Sequence, residues 1–269
     1  MYALRKAVRV VLLAAALAAS PGLAAAQPAS PRASDAGLGA QVSAADLVER
    51  AMERAERGDR QGALQDLEAA LRINPNSPDA FVARGTVRVE LGDDRGALED
   101  FNQALRFDPN NAEAYLGRGL IRVRLGESAA ALADLDQVIR IDPTSASAYV
   151  DRGGVRVALG DSRGALEDFS QALRLDPTQV EAYVERGLLR VRLADDRGAV
   201  EDFSQALQLN PSHAEAYQNR GVVRAALGET ALALPDLQRA RDLFVARGDA
   251  AQAREVQELI STLSSSPSQ

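Results

Sequence analysis

The stretch AYVDRGGVRVALGDSRGALEDFSQALRLDP, residues 148–177, decides the fold, because its phrasing returns along the chain at a fixed interval. Its closing Pro177 belongs to a series, Pro75, Pro109, Pro143, Pro177 and Pro211, spaced 34 residues apart. A period of that size marks small supersecondary units stacked in a row, each touching only its neighbours. Such a stack offers extended surface, so function is expected on that surface and not in a catalytic pocket.

One period predicts two helices. In residues 78–111, Ser77 can cap a helix that starts at Pro78, where a missing N–H costs nothing. Phe81, Val82, Val87, Val89 and Leu91 follow at helical spacing. Gly92-Asp93-Asp94 ends this helix and caps a second, running from about Arg95 to Phe107, which Asp108-Pro109 breaks. Each helix is about 20 Å long. A hairpin this short cannot hide its apolar faces alone and must stack. Gly85, Ala97 and Ala104, matched one period later by Gly119, Ala131 and Val138, mark places where backbones come close.

These residues resemble the tetratricopeptide repeat family, and the resemblance covers residues 44–247 as six units: 44–77, 78–111, 112–145, 146–179, 180–213 and 214–247. The family signature is an early aromatic, a Gly or Ala four residues later, two Ala flanking an aromatic in the second helix, and a closing Pro. Phe81, Gly85, Ala97, Phe101, Ala104 and Pro109 fill those places, as do Tyr149, Gly153, Ala165, Phe169, Ala172 and Pro177. Tyr183, Gly187, Ala199, Phe203, Ala206 and Pro211 repeat them. The first unit is weaker, with Leu47, Ala51, Ala63, Leu67, Ala70 and Pro75. The sixth lacks the closing proline and carries Pro235 inside its second helix, where a kink is expected. The resemblance implies an all-α, right-handed solenoid of helical hairpins. Residues 248–263 add one helix that caps the end, and 264–269 read as a frayed tail.

The two ends differ from the repeats. Arg5, Lys6 and Arg9 precede an apolar run, 10–19, and Ala24-Ala25-Ala26 follow it, the order of a secretory signal peptide cut after residue 26. Residues 27–43, rich in Pro, Ala, Ser and Gly, read as a flexible spacer. Cleavage predicts a periplasmic or secreted protein with no stable membrane insertion. The chain has no cysteine, which excludes disulfides and thiolate metal sites. Its net charge of −7 falls to −10 once those three cations leave, and its arginines are dispersed. Nucleic acid, which rewards clustered positive charge, is a poor partner.

Every unit departs from the family pattern in one way. Its first helix carries two arginines one turn apart: Arg50 and Arg54, Arg84 and Arg88, Arg118 and Arg122, Arg152 and Arg156, Arg186 and Arg190, Arg220 and Arg224. A helical projection puts them inside the apolar arc. The second helix answers with Asp66, Asp100, Asp134, Asp168, Asp202 and Asp236, again inside an apolar arc. Opposite charges on faces that must pack together predict pairing across the hairpin. One arginine per unit is then expected to be left over. An anion-binding ladder, gripping phosphate or an acidic cell-wall glycan, is the functional alternative.

In the family, ligands lie in the concave groove of the first helices. The matching positions here form an apolar strip of Val82, Thr86, Val89, Leu116, Leu120, Val123, Val150, Val157, Val184, Leu188 and Val191. Beside it runs a polar strip of Asp79, Glu90, Glu113, Arg124, Asp151, Glu181, Glu185, Arg192 and Glu215. An apolar floor with a mostly acidic edge suits a peptide or helix bearing leucine-like anchors and basic residues. The lysine–asparagine clamp of the family is not expected, because Lys6 is the only lysine.

Catalytic signals are missing. His213 is the one histidine and reads as a solvated side chain in a cap; with no cysteine either, no nucleophile–base pair or transition-metal cage can form. Neither cofactor nor metal is expected. The reading is a non-catalytic interaction scaffold, with a self-assembling structural solenoid as the other alternative.

Overall fold

The computed structural model describes residues 42–265. The expected signal peptide and the spacer up to residue 41 lie outside the described residues, as do 266–269. Among the described residues there are thirteen helices and no strand, the all-α fold class that the repeat implies.

Two compact units divide the described chain, residues 42–144 and 145–265. The first holds α1 (Ala44–Glu56), α2 (Arg60–Ile73), α3 (Pro78–Glu90), α4 (Asp94–Phe107), α5 (Ala112–Arg124) and α6 (Ser128–Ile141). The second holds α7 (Ala146–Ala158), α8 (Ser162–Leu175), α9 (Val180–Arg192), α10 (Asp196–Leu209), α11 (Ala214–Ala226), α12 (Thr230–Arg247) and α13 (Ala250–Ser265).

Inside each unit, consecutive helices pair as hairpins: α1 with α2, α3 with α4, α5 with α6, and α7 with α8, α9 with α10, α11 with α12. Each second helix also packs on the first helix that follows it, α2 on α3 and α4 on α5, then α8 on α9 and α10 on α11. First helices touch side by side, α3 with α1 and α5, and α9 with α7 and α11. Each unit is therefore a stack of hairpins.

The core follows from the small residues. Gly85 lies so close to Phe101 that a Cβ there would sit 2.9 Å from the ring, and Gly153 and Gly187 stand in the same relation to Phe169 and Phe203. Ala97, Ala104, Ala165, Ala172, Ala199 and Ala206 are fully buried around these rings. In 145–265, α13 closes the stack: Ala253, Val256 and Ile260 join the cluster of Leu237, Ala240 and Phe244.

Helix starts obey one rule with two outcomes. Asp59, Asp93, Asp161 and Asp195 each accept a hydrogen bond from the N–H of a glycine three residues on, Gly62, Gly96, Gly164 and Gly198. Where glycine gives way to Ala130 or Leu232, the cap is Glu127 or Glu229 and makes no such bond. Glycine lets the carboxylate lie close over the helix start. A Cβ at Gly164 would lie 2.1 Å from the Asp161 carboxylate. This coupling escaped the sequence reading, although the co-occurrence of Asp with Gly three residues later carries it.

Two details correct the sequence reading. Ser43, assigned to the spacer, is the N-cap of α1, in a reciprocal capping box with Asp46. Ser264 and Ser265, assigned to the tail, belong to α13. Pro235 lies inside α12 without ending it, and the helix continues to Arg247, where left-handed Gly248 terminates it.

Candidate functional site

The arginine and aspartate series meet as the hairpins form. Arg84 donates from Nε and Nη2 to Asp100 at 3.0 and 2.6 Å, a fork-to-fork contact across α3 and α4. The arginine expected to be left over is not: Arg88 Nη1 donates to the other face of the same carboxylate at 2.7 Å and to Gly96 O at 3.0 Å. The pattern repeats with Asp66, Asp134, Asp168, Asp202 and Asp236, each held by both arginines of its unit at 2.6–2.9 Å. An ionised carboxylate has two oxygens with about four lone-pair sites, which is why one aspartate suffices for two arginines.

The first arginine of each pair has further contacts. Arg84, Arg118, Arg152, Arg186 and Arg220 lie over the rings of Phe81, Tyr115, Tyr149, Tyr183 and Tyr217 at 5.4–5.7 Å. Arg118 also reaches back to Asn102 at 2.7 Å, and Arg186 and Arg220 to Ser170 and Ser204 at 3.2 and 3.0 Å. These bonds fix one hairpin against the previous one. With two arginines on each aspartate, the geometry follows the structural pairing expected of the ladder.

The proposed groove divides by burial. Val82 and Val184, expected on the open surface, are 7 % and 9 % exposed, and Val191 is 4 %. The cause is the lateral contact of the first helices; Val82 packs with Phe101 and Ile121. Leu120 and Val123 on α5 remain 45 % and 43 % exposed, while Leu116, Val89 and Leu188 are half-buried. On the polar strip, Glu113 and Arg192 are exposed. Arg124 is tied to Asp94 of the preceding hairpin, and Glu90 to Arg60 at 2.7 Å. Asp151 and Glu185 are partly covered, and burial pushes both carboxyls up from the ordinary value.

His213 is more than a solvated neighbour. It caps α11, with Nδ1 accepting from Ala216 N–H at 3.2 Å, and lies 3.3 Å from Glu215. The neutral ring caps the helix; a protonated ring would instead donate to Glu215, since one nitrogen cannot do both. The His213 ring beside it and a hydrogen bond from Arg247 at 2.7 Å hold the Glu215 carboxyl down to about 2. Among the described residues no cluster of His, Cys, Asp and Glu is placed to hold a metal, and no helix is long and apolar enough to cross a membrane.

Paired antiparallel helices on a 34-residue period, with glycine and alanine at their contacts, define a helical-hairpin repeat protein. Family models described as tetratricopeptide repeats match residues 85–126, 112–145, 146–179 and 185–253, and the chain belongs to that family. Solved structures of similar fold include PilW, a widely conserved type IV pilus biogenesis factor, at 22 % identity and TM-score 0.71 over 81 % of this chain and 100 % of that one. PilF of Pseudomonas aeruginosa is similar at 19 % identity and TM-score 0.70, over 80 % of this chain and 96 % of that one. YrrB, a repeat protein with an unusual peptide-binding site, is similar at 22 % identity and TM-score 0.58, over 71 % and 97 %. No curated protein matches the chain significantly in sequence.

Proposed function

We propose that the chain is a non-catalytic interaction scaffold of the bacterial cell envelope that takes a peptide or protein segment along the first helices of its hairpins. The observation that carries this reading is a division of labour between side chains. The buried charges are spent on the hairpins themselves, whereas Leu120 and Val123 stay open on α5 and Leu188 stays half-open on α9. An exposed leucine is an anchor point for a partner's apolar side chains. Family membership supports a protein or peptide partner, and YrrB shows that the fold can carry a peptide site. Export rests on the sequence of residues 1–26, and the likeness to PilW accords with an envelope setting.

The test is affinity capture of residues 27–269 from envelope extract, followed by binding measurements with each purified partner. Leu120→Glu or Leu188→Glu should abolish the binding that wild type shows. Partners held equally by wild type and both variants would refute a site on this face.

A further inference from the structure

We infer that the first-helix face of residues 145–265 receives a cationic side chain, lysine or arginine, of a partner polypeptide between Asp151 and Glu185, with the Asn219 amide beside them. This rests on the scaffold reading above and names the chemistry of the segment it binds. Asp151, Glu185 and Asn219 occupy the same repeat position on α7, α9 and α11, and those helices touch in that order, α7 with α9 and α9 with α11. The three side chains therefore form a row.

The row is not explained by the fold. In residues 42–144 the same position holds exposed Glu49, buried Ala83 and half-buried Gly117, where an added Cβ would lie 2.4 Å from the Phe101 ring. Packing at two of these three places is served by the smallest side chains, and the carboxylate at the third is exposed, so a carboxylate has no packing duty at this position. Nor do they have partners. The six fully buried aspartates are each held by two arginines, but Asp151 and Glu185 make no hydrogen bond or ion pair with any described residue. Asn219 and its neighbour Gln218 are each 4 % exposed, and their side-chain amides make no hydrogen bond to a described residue, meeting solvent through the little surface they keep. They are the only buried polar side chains among the described residues outside the aspartate series.

Partly desolvated carboxylates without a partner are costly, and a bound cation repays that cost by completing their coordination. Burial already raises both carboxyls. Exposed Glu181, one turn before Glu185 on α9, adds to the negative field. Arg192 is the one uncommitted cation on these three helices, and it lies two turns, about 10 Å, beyond Glu185. Lysine and arginine both fit; an acidic segment does not.

The test pans a phage-displayed library of random 12-residue peptides on residues 27–269 and on the Asp151→Asn/Glu185→Gln variant in parallel. Wild type should enrich peptides with lysine or arginine flanked by apolar residues. Synthesised winners should bind about tenfold more weakly for each neutralised carboxylate, and more weakly again in high salt. Glu181→Gln should cost much less, and Glu185→Gln should keep the wild-type thermal midpoint at pH 7 or exceed it. Winners that lose binding with Leu188→Glu but not with the double variant overturn the cation site and leave the scaffold standing. An equal loss with Glu181→Gln overturns it too, as bulk charge attraction. A chain that retains no peptide overturns both readings.

Discussion

Arg88 and Asp100 stand on opposite helices of one hairpin, and the 2.7 Å bond between them is the second grip on a carboxylate that Arg84 already holds with two donors. Asp100 is 1 % exposed, so its charge is compensated almost wholly by protein. Taking an ion out of water costs several kcal/mol unless its lone pairs are met with good geometry. Three charge-assisted bonds meet that requirement, and the same arrangement recurs at each aspartate of the series. Buried charge of this kind specifies which helix pairs with which, in a core whose commonest residue is alanine.

The glycines at the hairpin contacts are not equally tight. A Cβ at Gly153 would come within 2.7 Å of the Phe169 ring, whereas at Gly119, opposite Leu135, the nearest atom is Asp134 Cβ at 3.4 Å. Gly153→Ala should therefore cost about 1–3 kcal/mol by overpacking. Gly119→Ala should be neutral or gain up to about 1 kcal/mol from helix propensity. Urea unfolding of the two variants distinguishes them.

One turn departs from its siblings. Gly58, Gly92, Gly126, Gly160 and Gly228 end the first helices at φ between 76° and 85°, but in the fifth hairpin Ala194 takes that place at φ 64°. A side chain in the left-handed region costs about 1–2 kcal/mol, offset in part by the unfolded-state freedom glycine adds. Ala194→Gly should raise the unfolding midpoint, and Gly160→Ala should lower it.

Much of this was readable before any coordinates. The period of Pro75 to Pro211 carries the hairpin repeat, and arginines inside an apolar arc announced pairing with the aspartates. The sharing of one aspartate by two arginines was not readable, because it depends on how far a guanidinium reaches across a hairpin. The family resemblance put Val82, Val184 and Val191 in the groove but did not carry the distance to the neighbouring first helix that covers them. Ala194 carried no signal as a left-handed residue until its backbone angles were known. The row of Asp151, Glu185 and Asn219 was split in the sequence reading, because an amide among carboxylates breaks a charge pattern but keeps a structural one.

Glu185 gives stability a pH dependence of definite sign. Its carboxyl is raised above the ordinary 4.5 by burial, so the folded chain holds the proton more tightly than the unfolded chain. Stability therefore falls as pH climbs from 4.5 through the raised folded value and stays lower above it. Glu185→Gln should raise the thermal midpoint at pH 7, with the advantage disappearing below pH 4.5. A midpoint lowered at pH 7 would mean the carboxylate is structural after all.

Glu215 acts in the opposite direction. The His213 ring and the hydrogen bond from Arg247 hold it at about 2, so its contribution is present above the ordinary 4.5 and is lost as pH falls toward 2. In Glu215→Gln the loss of stability between pH 4.5 and 2 should be shallower than in wild type. Acid titration of the helical circular-dichroism signal reads the difference.

The central claim is that the charge inside the hairpins is structural, and comparison of Asp168→Ala with Glu167→Ala in urea tests it most directly. Asp168 is 2 % exposed and held by Arg152 and Arg156, while adjacent Glu167 is exposed and pairs with Arg163 at 3.2 Å. Asp168→Ala leaves two arginines without their carboxylate and should cost about 3–5 kcal/mol, against less than about 1 kcal/mol for Glu167→Ala. Equally small midpoint shifts for the two variants would contradict it.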